Sequence, residues 1–253
     1  MSVALTELTR YLERCLQPDQ FRDYCPNGLQ VEGRPRVARL ATGVTASQGL
    51  LDQAIAWGAD VILVHHGYFW SGEAPQIVGM KRRRLAALLS NEISLLAYHL
   101  PLDAHPQFGN NARLGQLMGV VEHESLQPGD PGSVGNIGSL AETMPADKLV
   151  ERLEQITGRQ PLHIGGGGDP VHRVAWCTGA AQGYIEAAVA AGADVFVTGE
   201  VSEQTVHIAR EVGIHFIAAG HHATERYGVQ ALGEHLAQHF SLLHRFIDID
   251  NPV

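Results

Sequence analysis

Histidine is the residue type that stands out in this 253-residue chain. It occurs 14 times, twice as an adjacent pair, His65-His66 and His221-His222. Imidazole is the commonest metal-binding side chain, so such pairs point to metal chemistry. Two carboxylates stand near histidines at spacings that suit it. Asp103 closes the stretch His99-Leu100-Pro101-Leu102-Asp103, and Glu225 follows His221 by four residues. Positions i and i+4 share one face of a helix, so His221 and Glu225 can reach one centre. Asp103 adds a hard oxygen donor beside imidazole. Neighbouring side chains on a strand point to opposite faces, so His65 and His66 converge only if the chain leaves the strand there, which Gly67 permits. Singly, each group has a plainer reading: one buried and one exposed histidine, a loop aspartate, an i, i+4 surface pair. Together, His65, His66, Asp103, His221 and Glu225 are too many for one tetrahedral ion with an open position. They match two ions with a carboxylate bridging. Two ions ~3.5–4 Å apart activate water and polarise a substrate oxygen. His99 and Glu200 are the groups placed to move protons.

These residues need elements that bring them together, and an internal repeat supplies a pattern. Residues 37–62 align without gaps to residues 171–196, an offset of 134, with about a dozen of the 26 positions identical. Long-period self-similarity marks a duplicated structural unit. Each copy reads as strand, helix, strand. In the first, residues 37–43 form a strand, Ser47 caps a helix carrying Leu50, Leu51, Ala54 and Ile55 at helical spacing, Gly58 ends it, and residues 61–64 form a buried strand. In the second, a strand over 174–177 and a helix over 184–191 lead through Gly192 to a strand over 195–197. A further helix and strand follow in each half, over 85–89 and 93–97, and over 206–212 and 214–219. Strand–helix–strand units make parallel pairs with right-handed crossovers. The expected architecture is α/β, three-layer α/β/α, with two similar lobes at residues 1–126 and 127–253 and a dinuclear metal site between them. The boundary is placed in the loop Gln127-Pro128-Gly129-Asp130-Pro131-Gly132. The tail over 246–249 alternates like a strand and can join either lobe.

Ligands in open α/β sheets bind beyond the carboxyl ends of the strands. His65-His66, the His99–Asp103 loop and the Gly220–Glu225 loop all stand there. Thr198-Gly199-Glu200 occupies the repeat position of His65-His66, so the second copy lacks histidine at that place. Gly109-Asn110-Asn111 reads as a cap on a helix over 112–118, without chemistry. The run Gly165-Gly166-Gly167-Gly168 reads as a flexible connector, because it lacks the strand–helix context and Lys-Ser/Thr ending of a phosphate loop. Tyr68-Phe69-Trp70 can wall a pocket, stack on a base or simply pack a loop.

Composition bounds the rest. With 18 basic and 27 acidic side chains the net charge is −9, which argues against a nucleic-acid partner. The one dense basic run, Lys81-Arg82-Arg83-Arg84, reads as a solvated helix start. Cys15, Cys25 and Cys177 make neither a disulfide framework nor a zinc knuckle, and suit a reducing compartment. The first 16 residues read as an amphipathic helix rather than a signal peptide, and no apolar run approaches the ~20 residues of a membrane span. A cytoplasmic protein without a membrane partner is expected.

At Pro26-Asn27-Gly28-Leu29-Gln30-Val31, Gly43-Val44-Thr45-Ala46-Ser47, Val64-His65-His66-Gly67, His99-Leu100-Pro101-Leu102-Asp103 and Gly220-His221-His222-Ala223-Thr224-Glu225, the chain resembles the GTP cyclohydrolase 1 type 2 homologs, also called the Nif-three-like family. The resemblance implies a duplicated α/β fold and ligands at His65, His66, Asp103, His221 and Glu225, with Glu225 as the bridge. It implies two divalent metal ions per subunit, and a mixed His and carboxylate set accepts Zn, Fe, Mn or Ni. It also implies a toroidal homohexamer, a trimer of dimers. The family label names hydrolytic opening of the GTP imidazole ring with loss of formate. The expected function is therefore a metal-dependent hydrolase acting on a nucleotide or related small molecule, with Glu225, His99 and Glu200 as its catalytic groups. The alternative is a non-enzymatic metal-binding adaptor, metallochaperone or regulatory scaffold.

Overall fold

Gly58-Ala59-Asp60-Val61 and its repeat, Gly192-Ala193-Asp194-Val195, build the same local structure twice in the computed structural model, which describes residues 2–129 and 133–253. Gly58 and Gly192 sit in the left-handed region, at φ 77° and 73°, where glycine carries no Cβ penalty. The aspartates then reach back to the preceding strand. Asp60 Oδ2 accepts from the amides of Ala38 and Arg39 at 2.8 and 2.9 Å, and Asp194 Oδ2 accepts from those of His172 and Arg173 at 2.8 and 2.7 Å. The Asp60 and Asp194 amides donate to the carbonyls of Arg39 and Arg173. This bracket ties the start of one parallel strand to the start of the next.

The chain divides into two compact units: residues up to 102 with 228–250, and residues 103–227 with 251–253. In the first unit the strands are β1 (Val3–Ala4), β2 (Gly28–Val31), β3 (Arg36–Val37), β4 (Arg39–Thr45), β5 (Val61–His66), β6 (Ser94–Ala97) and, from the end of the chain, β13 (Leu243–Phe246). Five of them form a sheet in the order β13-β4-β5-β6-β2, with β1 and β3 as a separate antiparallel pair. Strands β13, β4, β5 and β6 run parallel and β2 antiparallel. The tail therefore adds its strand to the first unit. Helices α2 (Gln48–Trp57) and α3 (Gly79–Ser90) bury Leu50, Leu51, Ala54, Leu85 and Leu88 against Ala41, Ile62, Val64 and Leu95 on one face. Ser47 caps α2 by accepting from the Leu50 amide. Successive strand residues alternate faces, so Leu40, Thr42 and Leu63 point the other way. There Gly233 of the last helix (Arg226–Phe240) packs so closely on Thr42 and His244 that a Cβ would lie 2.7 and 2.3 Å from them.

In the second unit β7 (Val120–Ser125), β8 (Asn136–Met144), β9 (Leu162–Ile164), β10 (Val171–Trp176), β11 (Val195–Thr198) and β12 (His215–Ala218) form a sheet in the order β7-β8-β10-β11-β12-β9. The repeat's strands β10 and β11, with β12, are parallel, and antiparallel strands flank them. Leu114 and Met118 of α5 (Asn110–Met118) and Leu149 and Leu153 of α6 (Ala146–Thr157) pack with Val174, Trp176, Val195, Val197 and Ile217. The opposite face carries Phe196 and Phe216, with α7 (Ile185–Ala190) against β11 and α8 (Glu203–Val212) against β12. Each unit is thus a sheet between helices, an α/β arrangement.

Two expectations change. The division at 126/127 is not where the backbone contacts divide, because β7 hydrogen-bonds to β8 in one sheet. Of the loop over 127–132, Asp130, Pro131 and Gly132 lie outside the described residues. The glycine run is no flexible connector either. A Cβ on Gly166 would lie 2.6 Å from the Ala209 carbonyl oxygen and 2.8 Å from that of Ile214, so glycine is there for close backbone approach. Among the described residues, no helix is long and apolar enough to cross a membrane.

Candidate metal centre

In the first unit, β5 delivers His65 and His66 at its carboxyl end. The chain then turns at Gly67, where a Cβ would lie 2.5 Å from that of Ala97 and 2.3 Å from Gln30 Oε1. Gln30 clamps this turn. Its Oε1 accepts from the Tyr68 amide at 2.7 Å, and its Nε2 donates to the Tyr68 carbonyl at 3.0 Å. The two histidines therefore converge despite being neighbours, with ring centroids 4.5 Å apart. His65 is fully buried, and its Nδ1–H donates to the Tyr98 carbonyl at 3.0 Å. A carbonyl only accepts, so the neutral ring carries its lone pair on Nε2. His66 Nδ1 meets Thr45 Oγ1 at 3.1 Å.

His99 joins this pair. Its ring lies 5.0 Å from that of His65 and 5.7 Å from that of His66, and the three residues offer ligand atoms all within 4.8 Å of one another. Trp70 closes one side, 5.1 Å from His99 and 5.9 Å from His66. The residue that holds His99 is Asp23, which carried no expectation. Asp23 Oδ1 accepts from His99 Nδ1 at 2.7 Å, while Oδ2 accepts from Asn27 Nδ2 and the Leu100 amide. Burial alone would raise the Asp23 carboxyl. Hydrogen bonds from His99 and Asn27, with the charge of His99, outweigh it and hold the group down at about 2. Burial, and then the Asp23 charge, push the neighbouring Cys25 thiol up to about 12.

In the second unit Asp103 lies on the short helix α4 (Leu100–Ala104), 5% exposed. Its Oδ1 accepts from Asn110 Nδ2 at 2.9 Å and from the Thr178 hydroxyl at 3.3 Å. Asn111 donates to the Asp103 carbonyl and accepts from the Thr178 amide. The stretch Gly109-Asn110-Asn111 does cap α5, through Gly109 and without a side-chain bond, but Asn110 and Asn111, expected to carry no chemistry, also hold this carboxylate. Two amides buried in a helix's first turn were the available sign.

His221 opens α9 (His221–Thr224) and Glu225 ends it, so the helical spacing holds across a single turn. His221 Nε2 lies 3.2 Å from Glu225 Oε2, and its Nδ1 lies 2.7 Å from Glu200 Oε1. Burial lowers the His221 imidazole, but the two facing carboxylates, Glu225 first, outweigh it and raise the ring to about 9. Glu200 thus acts on His221, fixing its orientation. The missing histidine of the second repeat copy also has a reason: a Cβ at Gly199 would lie 2.6 Å from the His221 Cα and 2.7 Å from the Gly179 carbonyl oxygen. Glu225 is 2% exposed; burial first, then the charges of Asp103 and Glu225, push the Cys177 thiol well above its usual range.

Each set suits a divalent cation. Metal-bound histidines commonly donate their second nitrogen to a carbonyl or carboxylate, which pins the ring and its lone pair. His65 on Tyr98, His99 on Asp23 and His221 on Glu200 all show that pattern.

The profile of the family described as Duf34/NIF3 (NGG1p interacting factor 3) matches residues 3–252. A protein of Pseudomonas aeruginosa named GTP cyclohydrolase 1 type 2 homolog is 58% identical over 252 residues, covering 100% of both chains. Among solved structures, protein ybgI, described as of unknown function, superposes with a TM-score of 0.95 at 51% identity, over 99% of this chain and 100% of that one. TTHA1606 from Thermus thermophilus does so with a TM-score of 0.89 at 38% identity, over 99% and 100%. Family profile, relatives and fold agree over the whole length, and this chain belongs to the Duf34/NIF3 family.

Proposed function

We propose that this protein is a metal-dependent hydrolase whose ligands are His65, His66, Asp103, His221 and Glu225, holding two divalent ions of Zn, Fe, Mn or Ni with Glu225 as the bridge. The observation that carries the reading is the convergence of His65 and His66, with ring centroids 4.5 Å apart and both rings held through Nδ1, beside His99, whose ring lies 5.0 and 5.7 Å away. Ordering three imidazoles this way is costly unless a cation repays it, because like dipoles and buried nitrogens gain little from one another. The buried carboxylates Asp103 and Glu225 supply the negative charge that such ions need.

Ions bound there supply Lewis acidity and activate water for attack on an electrophilic carbon. The protein's own groups do the rest. Asp23 keeps His99 in place with its far nitrogen turned from the carboxylate, suited to taking a proton from water. Glu200 keeps His221 oriented. Trp70 shields one side from solvent and offers an aromatic face to a planar ring. The name carried by the Pseudomonas aeruginosa relative points to a nucleotide as substrate, attacked at a cyclic amidine C–N bond. Assembly into a toroidal homohexamer, a trimer of dimers, belongs to the same proposal.

The test is elemental analysis of purified protein, followed by a nucleotide hydrolysis screen with and without chelator. Turnover is expected to vanish with chelator and in Glu225→Ala, whose far-ultraviolet circular dichroism stays unchanged. Turnover retained in folded Glu225→Ala, or no turnover by metal-loaded wild type, refutes the hydrolase reading.

A further inference from the structure

Asp23, Cys25 and His99 form a second group of ligating side chains in the first unit, with ligand atoms all within 4.8 Å of one another. It is chemically distinct from the imidazole group, since it offers one sulfur, one nitrogen and one oxygen. It also has its own access. A cleft of about 820 Å³ reaches its Asp23 and Cys25, lined by Glu13, Asp19, Asp23, Cys25 and Asn27 among others. The three carboxylates around that cleft favour entry of a cation. The group is well built: the Asp23 side chain is 3% exposed, Cys25 is 7% exposed, and Asn27 and the Tyr24 and Leu100 amides fix the Asp23 carboxylate. The proton between His99 Nδ1 and Asp23 Oδ1, at 2.7 Å, lies between two potential ligands. Its place is one a cation can take.

We infer that Asp23, Cys25 and His99 are a mononuclear site for a borderline-soft divalent cation such as Zn²⁺ or Co²⁺, open to the cleft. Three protein ligands with a fourth position facing solvent is the pattern of an exchangeable or reactive site rather than a closed structural one. A thiolate selects against Mg²⁺ and Ca²⁺, which take oxygen ligands. His99 is the residue shared with the imidazole group: its Nδ1 faces Asp23 while its ring stacks obliquely on His65 and His66. The inference needs neither Asp103, His221 nor Glu225, so its test does not depend on the proposed dinuclear ligands; it shares Asp23 and His99 with the hydrolase reading, and a cation on His99 Nδ1 would take the place of the hydrogen bond that orients that ring there.

The test is titration of the full chain with Co²⁺ under a non-chelating reductant, following the sulfur-to-cobalt charge-transfer band in the near ultraviolet. Wild type is expected to develop the band to one equivalent. Cys25→Ser is expected to lose the band and one equivalent of bound Co²⁺. Cys15→Ser keeps both, and His221→Ala keeps the band. Asp23→Asn is expected to weaken the band-forming event roughly tenfold or more. No band in the wild type overturns the inference without any variant, and a band that persists in Cys25→Ser overturns it as well.

Discussion

Replacing Gly179 by alanine should displace Glu225, a proposed ligand, without substituting it. Gly179 has φ +70°, and a Cβ there would lie 2.1 Å from Glu225 Oε1, 3.1 Å from its Cδ and 3.3 Å from His221 Nε2. A carbon needs roughly 3.5 Å, so the carboxylate oxygen must withdraw by more than ~1 Å. Glu225 is 2% exposed and tied to His221 at 3.2 Å, so that movement costs it the geometry shared with its neighbour. Misplacing or unpinning a ligand by this much weakens metal binding by about 10–100-fold. The backbone adds a cost of its own, about 1–2 kcal/mol for an L-residue in the left-handed region. Gly192→Ala isolates that cost: its φ is +73° and a Cβ there meets nothing within 4 Å. For a chain of this size, each kcal/mol lowers Tm by roughly 2–4 °C. Gly179→Ala should therefore lose more stability by calorimetry than Gly192→Ala, and only Gly179→Ala should lose Zn²⁺ affinity by isothermal titration. Wild-type Zn²⁺ affinity in folded Gly179→Ala would refute the assignment of Glu225 as a ligand.

The paired aspartate bracket predicts paired losses. Asp194→Ala removes a carboxylate that accepts two amides, and should cost about 3 kcal/mol in urea unfolding. Asp60→Ala should cost a similar amount, plus under about 1 kcal/mol for its partly exposed ion pair with Arg34 at 2.9 Å; a negligible change in either variant would show that the bracket does not organise its strands. On mild acidification His244 should cost stability, against the opposite contribution of His221, whose ring is raised to about 9. Burial holds His244 below the usual imidazole value of 6.5, against the smaller opposing effect of Glu234, and its Nε2 meets Thr42 Oγ1 at 2.9 Å. The unfolded chain therefore takes up this proton at higher pH than the folded chain, so the contribution is present above 6.5 and lost as pH falls towards the folded value. His163 and His235 are lowered too and act with the same sign. Melting curves of His244→Gln between about pH 7 and 5 should show a shallower decline than wild type; an identical decline would exclude His244 as a contributor.

The α/β class and the repeat were legible in the sequence because both rest on local rules. Gly58 and Gly192 end helices through a backbone conformation that only glycine enters freely. The 61–64 and 195–197 runs are apolar because strands buried on both faces must be. The resemblance placed His65, His66, Asp103, His221 and Glu225 in one functional set, and the family is confirmed. Tertiary structure alone decided how these residues are held. Gln30 clamps the turn that lets two neighbouring histidines converge, and no periodicity announces a contact between residues 30 and 68. Asp23 meets His99 across 76 residues, and Asn110 meets Asp103 because a short helix folds back on the next one. Gly199 lacks a side chain because the backbone of His221 occupies the space, a constraint visible only once both segments are in place. Local sequence sets conformation through φ and ψ and burial through periodicity. The orientation of a ligand depends on what packs behind it, and those partners come from elsewhere in the chain.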